Sequence, residues 1–151
     1  IGRIVIWSKR LDPTKDGMNA LLASSIRKIA IANPEHAPYG KRAMESTTYY
    51  KLHDQIKDKL VLGENISQTA QFVTTGAADI GIIALSLALS PTMKQLGGKY
   101  YLIPESSHEP LLQGAIITRR AKGNELAESF FNFMKGKKAV DILSYFGFTK
   151  P

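Results

Sequence analysis

The segments KIAIANPEHAPYG (Lys28 to Gly40) and LVLGENIS (Leu60 to Ser67) follow one pattern: a short apolar run, an abrupt stop, and a helix start within a few residues. No other feature limits the possible folds as much. A strand that feeds directly into a helix returns to its sheet through a crossover, which favours parallel neighbours over a hairpin. In the first segment Asn33-Pro34 ends the run, because proline has no N–H to give to a strand ladder.

The rest of the chain follows the same alternation. Ile4-Val5-Ile6-Trp7, Asp79 to Ile83 and Tyr100 to Ile103 are short β-branched or aromatic runs that predict strands, and Leu111 to Thr118 predicts a longer one. Asp12-Pro13 to Gly17 reads as a turn-rich connector, and Asn19 to Ser25 as a short helix. Met44, Tyr49, Leu52 and Ile56 recur at helical spacing, with a break expected near Thr47-Thr48. A helix follows Asn65, with Ile66, Ala70, Phe72 and Val73 on its apolar face and Gly76 as its C-cap. Pro91 to Leu96 predicts a short helix, and Glu125 to Met134 and Lys138 to Phe146 predict two amphipathic ones. Strands alternating with helices over short loops imply an α/β fold, a mostly parallel sheet flanked by helices. The chain has no internal repeat and no low-complexity segment.

With 151 residues, 44% of them hydrophobic, the chain is long enough to bury a real core. No apolar run approaches the roughly 20 residues of a membrane-spanning helix; the most apolar window, Ile80 to Leu89, stops at Ser90-Pro91. There is no cysteine, which excludes disulfides and thiolate catalysis. The formal charge of +7 suits an anionic partner. The lysines and arginines are scattered, with short clusters at Arg119-Arg120 and Lys135-Lys138, unlike the dense stripe of a nucleic-acid face.

Each of the two opening segments ends at a helix N-terminus, where the first amides lack intrahelical acceptors and the helix dipole is positive. An oxyanion there receives aligned N–H donors without any side-chain cation. The candidate donors are the amides of Tyr39 and Gly40 in the first loop and of Ile66 and Ser67 in the second; Asn65, the expected N-cap, is a further candidate ligand contact. Ordinary capping is the competing account of both junctions. Glu35 and His36 suggest acid–base work or metal ligation, but His53 and His108 stand far from them in sequence and no paired ligand motif is present. There is no G-x-S-x-G elbow and no phosphate-loop pattern.

IANPEHAPYGKRAMES, LGENISQTAQFVTTGAADIGIIALSLAL, IPESSHEPLLQGAII and the terminal AVDILSYFGFTKP, in that order, resemble the periplasmic molybdate-binding proteins of molybdenum ABC transporters. The resemblance implies one lobe of a two-lobed, type II periplasmic solute-binding protein and no enzymatic activity. It further implies a molybdate or tungstate ligand, no cofactor, an ABC transporter permease as partner, and a periplasmic or extracytoplasmic location. It assigns anion contacts to the amides of Tyr39 and Ile66. A tyrosine that some members place on the anion aligns with Ala84 here. The family's N-terminal third, which adds hydroxyl donors, has no counterpart in this chain, which starts directly on the strand-like run IGRIVIW.

These residues are therefore expected to be part of something longer: residues 1–120 as the second lobe, and 121–151 as helices that normally complete the first lobe. Phe130, Phe133 and Phe146 on those helices would then be exposed, inviting self-association. Two rivals stand beside this reading. One is a ligand-sensing regulatory domain on the same fold; the other is a small enzyme using Glu35 and His36.

Overall fold

A computed structural model describes every residue from Ile1 to Pro151. The five strands are β1 (Ile4–Ser8), β2 (Ile29–Ala32), β3 (Leu60–Gly63), β4 (Ile80–Ala84) and β5 (Lys99–Leu102). They form one sheet in the order β3-β2-β4-β1-β5. β2 runs parallel to both β3 and β4, while β1 runs antiparallel to β4 and β5. The α/β reading holds, and the sheet is mixed: its β3-β2-β4 half is parallel because each of those strands is followed by a helix.

β1, β2 and β4 are buried along their whole lengths, which is why they read as unbroken apolar runs. Alternation along each strand divides the core between two faces. Ile4, Ile6, Ile29, Ile31, Ile80 and Ile82 point to one face, against α2 (Pro38–Tyr49) and α3 (His53–Ile56). Val5, Trp7, Ala30 and Ile83 point to the other, against α4 (Ile66–Thr75), α5 (Leu85–Ala88) and α6 (Pro91–Gln95).

The helices follow their local signals, with shifts at the ends. The expected connector at Asp12 contains a one-turn helix, α1 (Pro13–Asp16), because Asp12 caps the Thr14 amide. The expected helix at Asn19 is a 3-10 segment, Gly17–Leu22. α2 runs through Thr47-Thr48 without a break; Thr47 is buried there, and its Oγ1 is satisfied by the Met44 carbonyl within the helix. The chain leaves the helix only at Tyr50, ahead of Lys51, whose φ is +57°. α4 begins at the Asn65 cap and ends at Gly76 with φ +82°, as its sequence predicts.

The expected strand at Leu111 to Thr118 does not form. Leu111 makes one antiparallel bridge with Gly2, and the backbone beyond it joins no sheet. Leu112 and Ile116 are exposed there. A strand needs a partner edge as well as β-branched residues, and none reaches this segment.

α7 (Glu125–Lys135) and α8 (Lys137–Tyr145) lie outside the core, and Ala139 is the sole buried residue of the pair. Leu126, Phe130, Phe133, Ile142 and Tyr145 face outward. Phe146 departs from the expectation: it is half-buried, edge-on to Tyr145 at 5.2 Å between ring centroids. No helix is long and apolar enough to cross a membrane.

Candidate functional site

Because β2 and β3 are parallel neighbours in register from Ile29↔Leu60 to Ala32↔Gly63, their carboxyl ends lie side by side. The loops that follow them therefore emerge at one sheet edge, and so do the N-termini of α2 and α4.

In the first loop Asn33 organises the turn. Its amide donates to the Gly63 carbonyl at 2.7 Å, its side-chain oxygen accepts from Glu35 N at 3.0 Å, and its carbonyl accepts from Ala37 N at 2.8 Å. Pro38 then occupies the first helical position, where a missing N–H costs nothing. No side chain caps α2, and the ladder opens with Lys41 N donating to Ala37 O. Tyr39 and Gly40 thus carry amides with no acceptor in the helix. Gly40 is also obligatory for packing: a Cβ there would sit 1.9 Å from the Ala32 carbonyl oxygen, so the helix start lies directly against the end of its own strand.

In the second loop Asn65 Oδ1 accepts from Gln68 N at 3.0 Å, and Gln68 Oε1 accepts in return from Glu64 N at 2.7 Å. Thr69 N donates to the Asn65 carbonyl. This reciprocal cap resembles a capping box and leaves the amides of Ile66 and Ser67 without helical acceptors. Asn65, singled out in the sequence as a ligand contact, spends its side-chain oxygen on holding the loop. Its partner Gln68 was missed, although the spacing N-I-S-Q carries the signal.

The loops are also tied to each other. His36 Nε2 lies 3.1 Å from the Glu64 carbonyl oxygen and 3.3 Å from its carboxylate. The imidazole is therefore occupied in bracing, and the exposed Glu35 side chain makes no hydrogen bond. Nowhere do three His, Asp or Glu side chains converge as a metal site would require. Ala84 ends β4, the other parallel neighbour of β2, and brings no hydroxyl to this edge.

The amides of Tyr39, Gly40, Ile66 and Ser67 belong to the two neighbouring helix starts. The broad depression of about 600 Å³ beside Met44, Glu45 and His108 contains none of them. The Tyr39 ring turns inward against the core, and burial raises its hydroxyl pKa above the usual tyrosine value.

The mixed sheet thus presents two helix starts with free amides at one edge. The chain belongs to the bacterial extracellular solute-binding protein family, whose model matches residues 1–149. This is a binding family rather than a catalytic one. The molybdate-binding protein ModA of Azotobacter vinelandii is 34% identical over 148 residues, covering 98% of this chain and 58% of the relative. ModA of Rhodobacter capsulatus is 30% identical over 149 residues, covering 98% and 57% respectively. The solved Azotobacter vinelandii periplasmic molybdate-binding protein superposes with a TM-score of 0.89 at 32% identity, over all of this chain and 66% of that one. The chain thus spans less than two thirds of the length of these relatives.

Proposed function

We propose that this chain holds one tetrahedral oxyanion, molybdate or tungstate, through the amides of Tyr39, Gly40, Ile66 and Ser67, for delivery to an ABC transporter permease on the extracytoplasmic side. The observation that carries this reading is the parallel β2–β3 pairing, which sets two pairs of amides without helical acceptors at one sheet edge. The molybdate-binding relatives and the +7 charge point the same way. Neutral donors suit a dianion because charge-assisted hydrogen bonds offset its desolvation. Fixed donors also discriminate by size, since a smaller sulfate cannot reach all of them together.

In this reading residues 1–120 are the second lobe of a two-lobed protein, and 121–151 pack in the whole protein against the rest of the first lobe. The donors here are then half of a cage. Each absent contact costs about 1–3 kcal/mol, or roughly one to two decades of affinity. Calorimetric titration with molybdate, tungstate and sulfate tests the reading. Weak binding of the two larger anions, with sulfate weaker still, is expected. Submicromolar molybdate binding would refute the half-cage, and no binding at millimolar molybdate would refute the oxyanion site.

A further inference from the structure

The oxyanion reading assigns Tyr39 its backbone only, yet its side chain makes a contact of its own. The ring leaves the first turn of α2 toward the core and ends against Gly2. A Cβ on Gly2 would meet Tyr39 Oη at 2.8 Å and Cζ at 3.5 Å, with Gln113 Nε2 next at 3.6 Å. The ring end therefore lies against Gly2, and Gly2 has neighbours in a second segment that is distant in sequence. Gly2-Arg3 lead into β1, and the neighbouring segment, Leu111 to Gln113, leads away from the sheet.

Those two segments join each other and carry the C-terminal helices. Gly2 N donates to the Leu111 carbonyl at 2.8 Å, and Arg3 O accepts from Leu85 N at 2.9 Å. Ile1 and Thr149 exchange hydrogen bonds of 2.6 and 3.0 Å through their main chains, which fastens the end of the chain beyond α8 to its beginning. Gly2 itself is buried. Tyr39 Oη makes no hydrogen bond within the chain, so it acts here by shape. The absent Cβ of Gly2 is what lets the ring end fit.

We propose that Tyr39 is a positioning residue that couples occupancy of the anion half-site to the joint formed by Gly2, Leu111 and Gln113. This rests on the oxyanion reading above. The Tyr39 amide takes the anion, and the side chain of the same residue sets the joint on which the C-terminal helices hang. Conversely, a change at the joint reaches the amide through the ring.

A double-variant cycle, read by molybdate calorimetry and amide NMR, tests the coupling. In the parent chain the Gly2 and Gln113 amide resonances shift with the same midpoint as those of Tyr39 and Ile66. Gly2→Ala pushes on the hydroxyl and lowers molybdate affinity about threefold to tenfold, the scale of one weakened hydrogen bond. Tyr39→Phe, which removes the hydroxyl and keeps the ring and the amide, sets the reference affinity for the cycle. In that background Gly2→Ala causes no further loss of affinity, because the colliding atom is gone. Unchanged affinity in Gly2→Ala, or an equal loss when Gly2→Ala is added to Tyr39→Phe, overturns the coupling while leaving the anion site standing. A parent chain that gives neither heat nor shifts with molybdate overturns the oxyanion reading and the coupling with it.

Discussion

The imidazole of His36 and the main-chain carbonyl of Glu64 meet at 3.1 Å, across 28 positions of sequence, and this contact ties together the two loops that end β2 and β3. An acid–base reading of Glu35-His36 gives way to a mechanical one: the ring fixes the distance between two pairs of free amides. His36→Ala should leave the fold intact, because the ring is half exposed. It should weaken molybdate binding about threefold to tenfold, the value of one exposed hydrogen bond. Calorimetry on the variant, beside an unchanged thermal melt, checks this.

Removing one donor without disturbing its helix isolates the backbone contribution. Ile66 is the first residue of α4, and Asn65 before it is extended (φ −153°, ψ 174°), the conformation proline requires of its predecessor. Ile66→Pro should fold and lose about 10- to 100-fold in molybdate affinity, the cost of one charge-assisted hydrogen bond. Ile66→Val, which keeps the N–H, serves as the comparison. Equal affinities for the two variants would remove Ile66 N from the site.

Gly40 tests the packing beneath the site. Its missing Cβ is what lets α2 start against the Ala32 carbonyl, with only 1.9 Å available to an added carbon. Gly40→Ala should destabilise the chain by about 2–3 kcal/mol, as overpacking against backbone does. A shift of the urea midpoint with an unchanged slope would show it.

Asp79 sets the acid limit on stability. Its carboxylate accepts from Arg27 N at 2.9 Å and Lys28 N at 3.0 Å and pairs with Arg10 at 2.8 Å, joining the starts of β2 and β4 to the end of β1. The Arg27 amide bond leads in holding its pKa below the usual aspartate value, with Lys28 N and the Arg10 charge adding to it. A lowered folded pKa means a contribution fully present above the unfolded value of about 4 and lost as pH falls through the folded one. Asp79→Asn should flatten the loss of stability below about pH 4 and cost about 1–3 kcal/mol at neutral pH. Denaturant melts across that range decide it.

The outer faces of α7 and α8 should govern solution behaviour. Leu126 is 82% and Phe130 65% exposed, a grouping that water does not favour. Sedimentation velocity should show concentration-dependent association of the chain, relieved by Leu126→Ser with Phe130→Ser and without loss of thermal stability. Monomers at every concentration would contradict this.

The sequence alone determined the elements whose causes are local. The β-branched runs of β1, β2 and β4, the Asn65 cap, Pro38 at the start of α2 and the Gly76 terminator all act within a few residues, so their positions could be read directly. The candidate amides followed for the same reason: a proline and an N-cap announce where helix donors go unsatisfied. Only the tertiary structure decided what those amides share. The β2–β3 pairing, the antiparallel setting of β1, the His36–Glu64 tie and the Tyr39–Gly2 contact all join residues far apart in sequence, where neither propensity nor spacing carries information. Leu111 to Thr118 shows the converse, since its residues suit a strand and yet only Leu111 finds a partner. Strand character is local, but a strand exists only where another backbone supplies the hydrogen bonds.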